Sequence, residues 1–315
     1  MKLEDIGFYT LNDYRAKNVS SKSQLWRCEL ILTSRCNFNC PYCRGVNEED
    51  KGDISIYEAY NTILMWTNEG LKNIRFSGGE PTLYKYLENL VTFSSINNIE
   101  KIAISTNGSN NLKYYKNLIK LGVNDFSISL DSCCASTGKL MSGGVSVFDR
   151  IINNIKELSK LTYVTVGIVI TDDNIKEIDK TIKLASSLGV ADIRVITAAQ
   201  KSKYLPNIST LLHKHPILKY RIKNFYKGRP IRGINKDDTN KCSLVLDDMA
   251  VLNNKHYPCI IYLREGGNPI GKVNKNMREE RNIWYLKHDT HKDVICKNNC
   301  LDVCVDYNNK VKKEN

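Results

Sequence analysis

TSRCNFNCPYCRG, residues 33–45, decides how the rest of this chain is read. It places Cys36, Cys40 and Cys43 on one short loop in the spacing CxxxCxxC. Thiolates are soft ligands that suit iron–sulfur clusters, and two short spacings let three of them converge on one cube. Three protein ligands on a four-iron cluster leave one iron open, where a cofactor can chelate and accept an electron. A structural zinc site is the competing reading. Zinc closes its shell with four ligands, and no His or further Cys follows within reach of the loop.

Around this loop, across residues 27–197, short β-rich runs alternate with amphipathic helical ones. The strand candidates are 28–32, 73–76, 101–105, 125–130, 163–170 and 192–196. Ser55 with Glu58 forms a capping-box pattern ahead of Ile56, Ala59, Tyr60, Ile63 and Leu64, before Gly70. Helical stretches are also expected over 111–121 and 146–161, and after a second cap at Asn174 and Glu177. Gly122 and Gly189 follow two of them, as left-handed C-terminal residues do. Six strands with intervening helices imply an α/β fold, a partial (β/α)6 barrel of TIM type with right-handed crossovers. Chemistry in such barrels collects at the C-terminal ends of the strands. The cysteine loop, 77–81, 105–108, 129–132 and 171–174 then share one face.

Past residue 200 the pattern breaks. Residues 201–241 hold eleven Lys or Arg against Asp237 and Asp238, an excess of +9 within a chain of net +12. Such a block either attracts an anionic partner or is a solvated helix face. One helix is expected at 211–226. A small cysteine-rich module follows from Cys242, with a hairpin candidate at 248–259 around Asn253–Asn254 and a helix at 277–288. The expected division is an N-terminal extension at 1–26, a core at 27–200, the basic segment at 201–241 and the module at 242–315. The chain has 315 residues, 42% of them hydrophobic, which is ample for a large core. Neither a run of about 18 apolar residues nor an apolar signal core is present, so a cytoplasmic protein without membrane contact is the default expectation. Eleven cysteines, an odd count at short spacings, then favour metal or cluster ligation over disulfides.

Further elements fall at the predicted strand ends: Ser77-Gly78-Gly79-Glu80-Pro81, Thr106-Asn107-Gly108 and Ser129-Leu130-Asp131. With residues 36–43 they resemble, in order, the signature loop and the GGE, TNG and SLD elements of the radical S-adenosylmethionine (SAM) superfamily. The resemblance covers 27–197. It implies that Ser77, Gly78, Gly79 and Glu80 meet the SAM amino group, the glycines allowing close backbone approach. It further implies that Thr106 and Asn107 belong to the same cofactor site and that Ser129 and Asp131 approach the methionine carboxylate or the ribose. Tyr42 is similar to the aromatic that flanks adenine. The implied chemistry is reductive cleavage of SAM by a [4Fe–4S] cluster, giving a 5′-deoxyadenosyl radical that abstracts a substrate hydrogen. Cys242, Cys259, Cys296, Cys300 and Cys304 look like the auxiliary-cluster extension of the SPASM and Twitch subfamilies. The full SPASM pattern has seven cysteines and two clusters, so five suit one auxiliary [4Fe–4S] cluster, with a thiol to spare or an open-site arrangement. A tetrahedral zinc site built from four of these five thiols is the alternative. Cys28 reads as a small buried hydrophobe. Cys133 and Cys134 follow the SLD element and either face the active cavity or fill space, the second being preferred. The five histidines read as surface or packing residues, with His256, three residues before Cys259, singled out for test.

Three functions follow. The first is modification of a ribosomally made peptide, with a reducing partner of flavodoxin or ferredoxin type; the extension before the first strand leaves no room for a winged-helix leader-binding domain. The second is modification of a nucleotide, nucleic acid or nucleotide-derived small molecule, whose phosphates the basic block would steer. The third is a non-catalytic iron–sulfur or zinc protein that binds nucleic acid.

Overall fold

The computed structural model describes residues 13–199, 205–208 and 214–314. The elements are α1 (Asp13–Asn18), β1 (Arg27–Thr33), α2 (Ile56–Asn68), β2 (Asn73–Gly78), α3 (Leu87–Ile96), β3 (Lys101–Thr106), α4 (Leu112–Leu121) and β4 (Asp125–Ser129). They continue with α5 (Ala135–Met141), α6 (Phe148–Leu158), β5 (Tyr163–Ile170), α7 (Ile178–Ser187), β6 (Asp192–Thr197) and α8 (Pro216–Tyr226). The C-terminal part adds β7 (Asp248–Leu252), β8 (Lys255–Tyr257), α9 (Ile260–Arg264), β9 (Gly271–Lys272), α10 (Met277–Lys287), α11 (Val294–Asn299) and α12 (Asp302–Glu314).

All strands lie in one sheet, ordered β6-β5-β4-β3-β2-β1-β7-β8-β9. Neighbours from β1 to β6 are parallel and consecutive, so each βα unit adds one strand on the same side. The sheet stays open, as expected of a partial barrel. All seven residues of β1 are buried, as they must be in a strand covered on both faces. Helix α4 is capped by Asn111, whose side chain accepts from Tyr114 N at 2.8 Å. The capping box expected at Ser55 does not form: Ser55 sits at the N-cap with no side-chain hydrogen bond. Helices α1, α3, α5, α9, α11 and α12 have no counterpart in the sequence reading. The helix expected from residue 211 begins at Pro216; residues 211–213 lie outside the described residues. Asp192 substitutes for a cap there, accepting from Ile217 N at 2.9 Å and Leu218 N at 3.4 Å.

The hairpin at Asn253–Asn254 is present, with Asn253 left-handed at φ 55°. It joins the core sheet: β7 runs parallel to β1, pairing Arg27 with Asp248 and Ile31 with Leu252. Buried ion pairs of Arg27 with Asp248 and Arg15 with Asp247 hold this seam. The basic segment divides, its arginines and Lys241 turning inward. Arg221 pairs with buried Asp302, Arg229 with Asp306, and Arg232 forms a β-bridge with Leu301. Lys241 Nζ donates to the carbonyls of Leu286 at 2.6 Å and of Tyr285 and His288 at 3.2 Å. Lys214, Lys219, Lys223, Lys227 and Lys236 remain exposed, while Lys201 and Lys203 lie outside the described residues. So the segment is in good part a clamp on the C-terminal helices, and only its lysines offer a charged face.

Candidate active site

The cysteine loop leaves β1 and is held first by backbone hydrogen bonds. Gly79 N donates to Thr33 O at 2.7 Å, Glu80 N to Arg35 O at 2.8 Å and Asn39 N to Ser142 O at 3.0 Å. A Cβ on Gly79 would stand 2.3 Å from Arg35 O, and one on Gly143, itself at φ +75°, 2.1 Å from Asn39 O. The loop is therefore gripped between two glycine turns. Cys36 and Cys43 are exposed and Cys40 half-buried. Burial raises the Cys36 thiol above its usual range and pushes Cys40 up to about 12, against a hydrogen bond from Tyr42. Metal binding would have to displace those protons.

These thiols line a cavity of about 280 Å³, shared with Tyr42, Ser77, Gly78, Gly79, Thr106, Asn107, Ser129 and Asp131. Glu80 is not on its wall. It is fully buried and accepts from Thr82 Oγ1 at 2.7 Å, Thr106 Oγ1 at 2.7 Å and Asn107 N at 2.7 Å. Its carboxylate ties the second strand end to the third. Ser77 likewise donates sideways, to Glu29 Oε1 at 2.6 Å. Asn107 Nδ2 reaches Asn37 Oδ1 at 2.8 Å, inside the cysteine loop. Tyr42 donates its hydroxyl to Asp131 Oδ2, and Val169 N donates to Asp131 Oδ1 at 2.6 Å. Burial pushes Asp131 up to about 6, opposed by those two donors. Asn174, read in the sequence as a helix cap, instead donates to Asp131 O and Val169 O, both at 2.8 Å. It locks the SLD turn to β5.

Sequence reading missed Glu29, Arg194 and Arg264, which also line this cavity. Arg264, from the C-terminal module, donates to Gly45 O at 2.7 Å and Gly78 O at 2.8 Å. The legible signal was a charge inside an otherwise apolar strand, as in CELIL or IRVI.

A second cavity, of about 260 Å³, is lined by Cys242, Cys259, Cys296, Cys300 and Cys304, and shares Glu29, Ser105 and Arg194 with the first. Burial raises the Cys242 thiol to about 12 and Cys259 higher still, and the neighbouring Cys304 sulfur together with burial raises Cys300. A zinc ion with Zn–S near 2.3 Å would draw sulfurs to about 3.8 Å. Among the described residues, the trios of metal-ligating atoms within 4.8 Å are Cys133–Cys134–Glu177 and His288–Asp293–Cys296, and neither gathers the five sulfurs. Among the described residues no three of these five sulfurs lie within 4.8 Å of one another, so no closed zinc shell is already formed among them. The residues at both cavities thus fit the clusters that the sequence implies.

Two lesser expectations change, and the packing reading of His256 holds. His256 does not approach the cysteines: it is buried between Glu280 (Nε2–Oε2 2.9 Å) and Arg281 (Nδ1–Nη1 3.2 Å). His288 does, with Nε2 at 3.6 Å from Cys296 Sγ and its ring stacked on Trp284 at 3.8 Å. Cys133 and Cys134 are neither in the cavity nor core filling; both are part-exposed beside Glu177. Cys28 is fully buried in β1, as expected.

Comparison with known proteins places this geometry. Residues 30–185 match the Radical SAM superfamily. A probable GTP 3′,8-cyclase of Archaeoglobus fulgidus is 25% identical over 59% of this chain and 66% of its own length. One of Saccharolobus islandicus is 32% identical over 53% of this chain and 55% of its own. The chain therefore spans between about half and two thirds of the curated relatives it matches. In fold it is similar to Streptococcus suis SuiB bound to precursor peptide SuiA (TM-score 0.60, 16% identity, 86% of this chain and 66% of that one). It is also similar to anSMEcpe with bound AdoMet (TM-score 0.58, 16% identity, 82% of each). At such identity these two speak for the fold alone. Among the described residues no helix is long and apolar enough to cross a membrane.

Proposed function

Residues 30–185 being a radical SAM domain, we propose that this enzyme acts on an anionic, nucleotide-type small molecule seated between its two cavities. Cys36, Cys40 and Cys43 would hold the SAM-binding cluster, and four of Cys242, Cys259, Cys296, Cys300 and Cys304 the auxiliary one. When bound, cluster and SAM supply a one-electron cleavage that yields a 5′-deoxyadenosyl radical able to abstract hydrogen. The chain's own residues bind, orient and exclude water. The Tyr42–Asp131 hydrogen bond fixes one cavity wall, and Glu80 fixes the opposite one. An external electron donor of flavodoxin or ferredoxin type completes the scheme.

One observation carries the substrate class. Arg232 is 3% exposed, lines the second cavity, and among the described residues its Nη1 has no hydrogen-bond partner. Its Nε and Nη2 reach only Thr197 O, at 3.4 and 3.3 Å. Burial drives its pKa down to about 10, and Arg44 adds to this. Arg27, Arg44 and Arg221 on the same wall each have a carboxylate. Arg232 has no carboxylate within ion-pair distance among the described residues; Glu265, which pairs with Arg44, acts on it from farther off and offsets burial only in part, so the guanidinium fits an anionic group brought in by a ligand. The 25% and 32% identical relatives, named for a reaction of GTP, favour the same class.

The test is calorimetric binding of GTP to cluster-loaded protein, with and without Arg232→Gln. Weakening by at least about tenfold supports the reading. If GTP does not bind, or if the substitution shifts the auxiliary cluster potential and spares GTP affinity, Arg232 balances the cluster and the nucleotide reading fails. Peptide modification has the fold shared with SuiB in its favour. Affinity for a neutral peptide that resists salt would restore it. The non-catalytic reading is set aside by the radical SAM domain.

A further inference from the structure

Cys133 and Cys134 serve neither cavity, yet they are not loose thiols. Cys133 Sγ lies 3.5 Å from Glu177 Oε2, and Cys134 Sγ lies 4.0 Å from each Glu177 oxygen. One ligand atom from each residue falls within 4.8 Å of the others. A tetrahedral zinc ion, with Zn–S about 2.3 Å and Zn–O about 2.1 Å, requires S···S near 3.8 Å and S···O near 3.6 Å. The observed S···O distances, 3.5 to 4.0 Å, are already of that size, and the two sulfurs lie within 4.8 Å of each other. Thr137 Oγ1 donates to Glu177 Oε1 at 3.0 Å, orienting the carboxylate as an outer partner orients a ligand.

We propose that Cys133, Cys134 and Glu177 form a site for a thiophilic divalent cation of the zinc type, with its fourth position left to water. The two thiols lie on the turn between β4 and α5, and the carboxylate lies ahead of α7. Asn174 already ties the same two segments together through Asp131 O. A cation here staples the SLD turn to the loop after β5, at the edge of the SAM cavity. The site is separate from both cluster sites and does not depend on the substrate proposed above.

The experiment uses Zn2+ and Cd2+ as probes on anaerobically purified protein whose iron content has been measured. Wild type is expected to hold one more equivalent of zinc than the Cys133→Ser/Cys134→Ser variant. Cadmium should give a thiolate charge-transfer band in wild type that the double variant loses. Glu177→Gln should weaken zinc binding about tenfold and keep the cadmium band, since it removes one of three ligands. Added zinc should raise Tm in wild type and not in the double variant. Equal zinc content in wild type and a double variant that shows the native circular dichroism spectrum would overturn the proposal. So would finding the two thiols joined as a disulfide in the anaerobic protein.

Discussion

Gly79 shows how much of the site rests on a single missing side-chain atom. Its Cβ position falls 2.3 Å from Arg35 O, a backbone atom that can yield only by moving the cysteine loop. Gly79→Ala should cost about 1–3 kcal/mol, as overpacking does. It should also lower iron uptake by reconstituted protein, measured together with the urea midpoint; full iron content would contradict this account. His256 makes a pH prediction. Burial, with the Arg281 guanidinium adding, holds its imidazole down at about 4, against the Glu280 carboxylate. An unfolded histidine titrates near 6.5. Between those values the unfolded chain binds a proton that the folded chain does not, so stability is present above 6.5 and is lost as pH falls toward 4. His256→Gln should flatten that fall, and an imidazole NMR titration near 6.5 in the native protein would contradict it.

Among the elements, α8 and α12 carry the attachment of the C-terminal module. Asp302 accepts from Arg221 and from Asn224 Nδ2 at 2.8 Å, where both ionic side chains are at most 1% exposed. Asp302→Asn removes a buried charge from beside a buried guanidinium and should cost about 3–5 kcal/mol. Asp306→Asn, beside the more open Arg229, should cost about 1 kcal/mol or less. Comparison of the two denaturation midpoints checks this. The six core strands were legible because apolar β-rich runs recur between helical ones. Helix α12 was not, since its lysine-rich end masks Val303, Val305, Tyr307 and Val311, which are buried against other elements. The caps misled where a side chain found a tertiary partner: Asn174 holds Asp131 rather than a helix end.

For the whole molecule, two cysteine sites face one another across Glu29, Ser105 and Arg194. Two four-iron clusters predict about eight irons per chain, falling to about four when Cys36, Cys40 and Cys43 are all replaced by Ala. Loss of all iron in that variant would argue against an independent auxiliary site. The sequence by itself determined the fold class, the cysteine loop and the order of the strand-end elements, because hydrophobic period and ligand spacing are local properties. Which polar side chains point into the cavity was decided only by the tertiary structure. Glu80 turned inward, Arg232 was left without a carboxylate at ion-pair distance among the described residues, and Arg264 reached in from the far module. Partners of that kind are distant in the chain, and only folding decides whether a buried charge finds one.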